Sequence, residues 1–174
     1  PVFLASAHSP LSALQVEGAG FDAVWLSSRE LSALNGLPSG ECLSLVEISD
    51  AARRVRRSVA APVLVDYGGG FGNAVCLMRA VEEFEQEGLA GFCFGEVVHP
   101  RRHSFPVGVR QELVPHEEQA GRIRAACDAR QKPDFMILAA VEAPSPEDGP
   151  TDVLARCRAY AAAGADALLL RTGA

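Results

Sequence analysis

The sequence predicts an α/β fold, a (β/α)8 TIM-type barrel of which about six βα units are present. Short apolar runs alternate with longer amphipathic ones, and the apolar runs are continuous. Three segments also repeat the same order of helix end, glycine and strand: EGAGFDAVWL, EQEGLAGFCF and AAAGADALLL. Continuous apolar strands are typical of parallel sheets buried on both faces. Repeated βα units of this kind form either a barrel or a doubly wound sheet.

The first half of the chain predicts three strands and three helices. Short apolar runs place the strands at residues 2–6, 22–26 and 62–65. A first helix, residues 10–18, follows the polar residues His8 and Ser9. A second helix, residues 41–58, carries one apolar stripe and gathers arginines at its C-terminal end, where the helix dipole favours positive charge. The third helix, residues 74–86, is closed by Gly88.

The second half continues the alternation. Strands are predicted at residues 89–94, 135–141 and 167–170. Residues 97–113 form a long polar connection, and a helix with an acidic first turn follows at residues 115–130. The last predicted helix is residues 151–163. Six strands cannot close an eight-stranded barrel, so we expect residues 1–174 to form one barrel domain that is incomplete at its C-terminus.

Two observations favour the barrel over the doubly wound sheet. The G-x-G-x-x-G fingerprint of dinucleotide-binding folds does not follow the first predicted strand. Polar and glycine-rich residues follow the C-terminal ends of several strands, which is where barrel enzymes place their sites.

Composition and net charge argue against several classes of protein. The net charge of −6 and the pI near 5.2 argue against a nucleic-acid or anionic-membrane surface. No apolar run approaches the roughly 20 residues of a membrane span. The five cysteines are scattered and form no C-x-x-C pair, which indicates neither a zinc site nor a disulfide framework and favours a cytoplasmic location.

The segment APVLVDYGGGFGN is a candidate for part of a functional site. An apolar strand ends on Asp66 and gives way to a glycine-rich loop. Together with EGAGFDAVWLSS, AVEEFEQEGLAGFCFGEVVHPRRHS, KPDFMILAAVEA and RAYAAAGADALLL, this segment resembles the phosphoenolpyruvate mutase / isocitrate lyase superfamily, most closely its mutase and phosphonopyruvate hydrolase branch. The resemblance covers essentially the whole chain. It implies an oligomeric barrel that binds a small α-oxo acid on Mg²⁺, held by carboxylates at strand ends.

The chain departs from the family's motifs at several positions. Where the family has D-x-D-x-G-y-G-N, Asp66 is retained and Gly68 replaces the second aspartate. In the motif E-D-x-x-x-P-K-x-N-S, Gly95 and Glu96 replace the acidic pair, while Arg101 and His103 replace the lysine and the asparagine. Further replacements stand at Ser39, Ala140 and Arg171, where the family has an aspartate, an arginine and a histidine. Three missing carboxylates argue against a retained Mg²⁺ site.

The resemblance implies the following site residues. The two expected catalytic residues are Arg101 and His103. The expected substrate-binding residues are Trp25, Ser27, Ser28, Ser104 and Arg171. The two expected metal ligands are Asp66 and Glu96. Because Arg101, Arg102 and Arg171 would gather at the barrel mouth, we expect that mouth to be rich in guanidinium groups and suited to carboxylates or phosphates.

Two functions remain open at this point. In the first, the protein is a diverged enzyme that binds a small anionic α-oxo acid or phosphonate and rearranges or cleaves a C–P or C–C bond. In the second, it is a barrel without catalysis that binds or scaffolds, with a partner or within a larger biosynthetic protein. Loss of several carboxylates favours the second function, and the gain of arginines favours a retained anion site.

Overall fold

The computed structural model of the chain describes residues 1–38, 41–100, 112–143 and 150–172. Its sheet consists of six strands: β1 (Leu4–Ala7), β2 (Ala23–Ser27), β3 (Val63–Asp66), β4 (Gly91–Gly95), β5 (Met136–Ala143) and β6 (Ala167–Thr172). The helices of the described residues are α1 (Pro10–Gly18), α2 (Ser28–Leu34), α3 (Leu45–Ser58), α4 (Ala74–Gln86), α5 (His116–Ala129) and α6 (Pro150–Ala162). None of these helices is both long and apolar enough to cross a membrane.

The sheet is parallel throughout, and its spatial order is its sequence order, β1-β2-β3-β4-β5-β6. A doubly wound sheet reverses its strand order at a switch point, and this sheet does not. Sequential parallel pairing is the arrangement of a (β/α) barrel, so the predicted architecture is confirmed as a six-stranded part of such a barrel. The register sets Asp66 of β3 level with Ser27 of β2 and Cys93 of β4.

The two faces of the sheet have different surroundings: one packs against the helices, and the other lies inside the barrel. Alternate residues face the helices and are buried in the main hydrophobic core, among them Val24, Leu26, Val63, Val65, Phe92 and Ile137. Phe84 of α4 meets Phe92 edge-on, with ring centroids 5.0 Å apart. Because successive strand residues point to opposite faces, the intervening residues, such as Trp25 and Asp66, lie on the inner face of the barrel.

The predicted start of the second helix, residue 41, is wrong by four residues. The helix α3 begins at Leu45 because Ser44 forms a capping box with Glu47: the Glu47 amide donates to the Ser44 hydroxyl, and the Glu47 carboxylate accepts from the Ser44 amide. Glu41 lies outside the helix with a positive φ of 58°. The segment that precedes α3 therefore belongs to the barrel mouth.

The other predicted helix and strand boundaries differ from the observed ones by at most two residues. The helix α2 is not predicted from the sequence, although Ser27 caps it by accepting from the Glu30 amide at 3.4 Å. Five strands begin one or two residues later than predicted, and β6 begins at its predicted residue. All six strands end one or two residues later than predicted, so that β3 includes Asp66 and β6 includes Arg171. The helix α4 has its predicted bounds, and Gly88 beyond it adopts a φ of 74°. Part of the long polar connection, residues 101–111, lies outside the described residues.

Candidate functional site

A cavity of about 270 Å³ opens on the inner face at the C-terminal ends of the strands. Its described lining consists of Ser6, Trp25, Ser27, Ser28, Arg29, Glu30, Glu41, Asp66, Gly68 and Arg171. These residues come from β1, β2, β3 and β6 and from the segments that follow β2 and β3. The position of the cavity is the one at which (β/α) barrels carry their active sites.

Arg171 joins two carboxylates across the cavity floor. Its Nη2 lies 2.6 Å from Asp66 Oδ1, and its Nη1 lies 3.2 Å from Glu142 Oε1. All three side chains are less than one-fifth exposed. The sequence thus places a guanidinium at the end of β6 between carboxylates at the ends of β3 and β5.

Burial and the charges of this cluster shift the pKa values of Arg171 and of its neighbour Cys93. Burial alone would lower the pKa of the Arg171 guanidinium, but the negative charges of Asp66 and Glu142 outweigh burial and raise that pKa. Cys93, fully buried on the inner face beside Asp66, has its thiol pKa raised well above the ordinary value, first by burial and then by the Asp66 charge. Arg171 therefore stays positively charged, and Cys93 stays a neutral thiol.

Glu41 adds a carboxylate to the cavity that the sequence does not single out. Its Oε1 accepts from the Gly69 amide at 2.6 Å, and its Oε2 lies 2.9 Å from His99 Nδ1. The side chain is 4% exposed, so the carboxylate is held between the glycine-rich loop and the segment after β4. A Cβ on Gly69 would lie 2.5 Å from Glu41 Oε2 and 2.9 Å from His99 Cβ, so a larger residue here would have to displace the Glu41–His99 pair.

The glycine-rich loop is also supported from the helix side. Arg122 of α5 donates from Nη2 to the Gly69 carbonyl at 2.5 Å, and its guanidinium lies over the Phe94 ring. The Tyr67 hydroxyl lies 2.8 Å from the Glu41 carbonyl and 2.9 Å from the Leu43 carbonyl. The buried donor groups of Arg122 and Tyr67 therefore hold the backbone of Gly69 and of Glu41 in place.

Of the predicted site residues, five meet at the cavity: Trp25, Ser27, Ser28, Asp66 and Arg171. Glu96, predicted as a metal ligand, is not among them. Its fully buried carboxylate accepts hydrogen bonds from Arg156 and Tyr160 of α6, on the helix side of the sheet. Burial raises the Glu96 pKa, and the bonds from Tyr160 and Arg156 partly oppose that shift.

The remaining predicted residues, Arg101, His103 and Ser104, lie outside the described residues, as do Ser39 and Arg102. Of the three arginines expected at the mouth, Arg171 alone is described. The described cavity wall carries three carboxylates, Glu30, Glu41 and Asp66, and two guanidinium groups, Arg29 and Arg171.

These residues do not fit a Mg²⁺ ion. Within the described part of the chain, no three His, Cys, Asp or Glu side chains converge in a way that could hold a metal. Asp66 and Glu142 are instead bonded to the Arg171 guanidinium, whose positive charge would repel a dication. Gly68 supplies no side-chain oxygen beside Asp66.

Parallel βα units in sequential order, with a charged cavity at the strand ends, define the class of (β/α)-barrel proteins. The family model described as phosphoenolpyruvate phosphomutase matches residues 1–173. The chain therefore belongs to the phosphoenolpyruvate mutase family, within the phosphoenolpyruvate mutase / isocitrate lyase superfamily.

Relatives support this assignment. The chain is 37% identical over 167 residues to a phosphonopyruvate hydrolase of Variovorax sp. (strain Pal2), covering 96% of the chain and 58% of that relative. It is 36% identical to a 2,3-dimethylmalate lyase of Eubacterium barkeri, covering 95% of the chain and 57% of that relative. The chain thus spans a little over half the length of these relatives.

Solved structures agree with the fold. The crystal structure of a phosphoenolpyruvate phosphomutase from Streptomyces platensis subsp. rosaceus matches with a TM-score of 0.90 at 40% identity, over 97% of this chain and 58% of that one. A phosphonopyruvate hydrolase complex with oxalate and Mg²⁺ matches with a TM-score of 0.86 at 37% identity, over 98% and 58% of the two chains. The predicted superfamily and barrel type are confirmed.

Proposed function

We propose that the chain binds a small anionic α-oxo acid or phosphonate in the cavity, with Arg171 as the cation that receives it. The observation that carries this proposal is the position of the Arg171 guanidinium on the cavity floor, between Asp66 and Glu142. A guanidinium has five N–H donors, so one bond to each carboxylate does not exhaust it. Its fork geometry matches carboxylate and phosphate oxygens.

The rest of the cavity is compatible with a ligand of that size. Trp25, Ser27 and Ser28 line the same cavity as Arg171, and Ser28 is 8% exposed. Serine hydroxyl groups in the same cavity as a fixed cation suit a planar oxo acid. Homologues that act on phosphonopyruvate, and one solved with oxalate, support this ligand class.

We further propose that the bound acid undergoes C–P or C–C bond chemistry. Cleavage of such a bond next to an oxo group leaves an enolate, and a positive charge beside the enolate oxygen stabilises it. Arg171 supplies a positive charge at the cavity floor, although it cannot act as a proton donor near neutral pH. This chemistry therefore needs another group for proton transfer.

The second candidate function is anion binding without catalysis. The observation that favours it is the engagement of Asp66 by Arg171, which removes from metal binding the one family carboxylate retained at the end of β3. A barrel of this type would act as a binding or scaffolding unit.

Isothermal titration calorimetry with oxalate and with phosphonopyruvate, each with and without Mg²⁺, tests the proposal. We expect both anions to bind with affinities that Mg²⁺ does not change. Arg171→Met should weaken oxalate binding by at least tenfold, whereas the surface variant Arg54→Met should not change it. Absence of oxalate binding, or binding that requires Mg²⁺, would refute the proposed anion site. Conversion of phosphonopyruvate to free phosphate or to a phosphate ester, followed by ³¹P NMR, then separates the enzyme from the non-catalytic barrel.

A further inference from the structure

The carboxylate of Glu41 and the imidazole of His99 form a pair at the cavity that the proposed anion site does not use. Glu41 lines the cavity, and both of its carboxylate oxygens have polar neighbours, the Gly69 amide and His99 Nδ1. The His99 side chain is 27% exposed, so one side of the pair is in reach of water. A buried carboxylate backed by a partly exposed imidazole is suited to move a proton between a ligand and solvent.

The backbone of Glu41 has an unfavourable conformation, which indicates that the surrounding structure holds this residue in place. Glu41 has a φ of 58°, in the left-handed region that a residue with a long side chain seldom adopts. Such conformations persist where the surrounding structure enforces them, and they cluster at functional sites. Here the Tyr67 hydroxyl reaches the Glu41 carbonyl and the Gly69 amide binds the carboxylate.

We infer that Glu41 is the proton-transfer group of the cavity and that His99 is the positioning residue that relays its proton to solvent. This inference rests on the proposed function, because it takes the bound oxo acid as its substrate. When the C–P bond breaks, its electron pair remains on carbon as an enolate and the phosphoryl group is transferred to water as phosphate. When a C–C bond to a carboxylate breaks instead, the enolate forms with release of CO₂. The Glu41 carboxyl gives its proton to that carbon, His99 Nδ1 returns a proton to Glu41, and water reprotonates the imidazole.

Other acids lining the cavity are less suited to this role. Asp66 is bonded to Arg171. Glu30 is half-exposed and lies within 3.6 Å of His8 Nδ1, and it accepts from the Ser6 hydroxyl at 2.5 Å. Glu41 combines burial with a histidine partner and a place on the cavity wall.

Charged and titratable groups around the pair come from several elements. Tyr67 and Cys42 stand close to Glu41, and Arg122 approaches from α5 through the Gly69 carbonyl. Burial, followed by the Glu41 charge, raises the pKa of the Tyr67 hydroxyl, so Tyr67 remains a neutral donor. Burial lowers the Arg122 pKa, although a guanidinium remains charged near neutral pH.

The test uses pyruvate in D₂O, because loss of its methyl proton signal reports proton transfer at the carbon next to the oxo group. Methyl exchange is followed by ¹H NMR at pH 5 to 8 for the wild type, Glu41→Gln and His99→Asn. Glu117→Gln and His116→Asn are the matched controls, since that pair has the same 2.9 Å contact on the exposed face of α5. Oxalate binding, which involves no proton exchange at carbon, is measured on every variant as the check of folding and of the anion site.

We expect Glu41→Gln to slow exchange at least 100-fold while oxalate affinity changes less than threefold. His99→Asn should slow exchange about tenfold and flatten its dependence on pH, and the control variants should match the wild type. If oxalate binds but wild-type exchange is absent, or is unchanged in Glu41→Gln, the inference is refuted and the anion site stands. If oxalate does not bind the wild type, the proposed function fails and the inference fails with it. Loss of oxalate binding in Glu41→Gln and His99→Asn alike would assign the pair a structural role and also refute the inference.

Discussion

Replacement of Arg171 by methionine tests the electrostatics of the cavity most directly. The variant Arg171→Met keeps an unbranched apolar stem but leaves Asp66 and Glu142 without the guanidinium, at 17% and 14% exposure. Removing one partner of a buried ion pair costs about 3–5 kcal/mol, and exposed pairs contribute about 0–1 kcal/mol. Because these side chains are nearly buried, we expect a loss of about 3 kcal/mol. For a domain of this size, each 1 kcal/mol lowers the Tm by roughly 2–4 °C, which gives a decrease of roughly 6–12 °C.

Urea unfolding and calorimetric melting at pH 7 measure this loss. Arg54→Met is the matched control, because Arg54 pairs with Asp50 on the surface of α3 at 62% and 41% exposure. That control should change the free energy of unfolding by less than about 0.5 kcal/mol. Adding Asp66→Asn to Arg171→Met should restore part of the stability, because it removes one of the two unbalanced charges. Equal losses in Arg171→Met and Arg54→Met, or no recovery in the double variant, would refute the bridging role of Arg171.

Two further predictions concern the glycine-rich loop and the buried carboxyl on the helix side. Gly69→Ala should lower the free energy of unfolding by about 1–3 kcal/mol, since its Cβ would lie 2.5 Å from Glu41 Oε2. Gly18→Ala, where a Cβ meets nothing within 4 Å, should be neutral or stabilising in urea unfolding, and equal effects would contradict this reading of the loop. Burial raises the Glu96 pKa above 4.5, so between pH 4.5 and the higher pKa of the folded state Glu96 binds more protons in the folded protein than in the unfolded chain. The unfolding free energy of the wild type relative to Glu96→Gln should therefore fall as pH rises above 4.5, by at most about 1.4 kcal/mol per pH unit, and a difference independent of pH would argue against the shift.

Most of the fold follows from local sequence signals. Continuous apolar runs locate all six strands, because a parallel strand buried on both faces has to be apolar along its length. The helix α4 is predicted to the residue, since Asn73 caps its start and Gly88 follows its end. The start of α3 is missed because the competing signal, the Ser44–Glu47 capping box, is a side-chain arrangement that helical periodicity alone does not reveal.

The site is less accessible to sequence reasoning. Asp66, Glu142 and Arg171 are separated by 76 and 29 residues along the chain, and only the pairing of β3 through β6 brings them together. Resemblance to the family locates Asp66 and Arg171 as candidates but gives no indication that they bond to each other. Glu41 lies outside the motifs, and His99 occupies an unspecified position of one of them, so their contact follows only from the path of two loops. Glu96 shows the reverse case, because a shift of one residue along a strand turns the side chain to the opposite face.

The bridge at Arg171 also constrains the chemistry that the cavity can perform. Two carboxylates that converge at strand ends need a nearby cation, because their mutual repulsion is strong where water is scarce. A guanidinium fixed to β6 meets that need from within the chain, whereas a dication would have to be captured from solution. The two cations are not equivalent, since a guanidinium stabilises an oxyanion by donating hydrogen bonds and accepts no lone pair as a Lewis acid does. Stabilisation of an enolate by Arg171 therefore depends on how well that oxygen competes with Asp66 and Glu142 for N–H donors. Substrates that carry more negative charge should compete better, which favours phosphonate and dicarboxylate oxo acids over monocarboxylates.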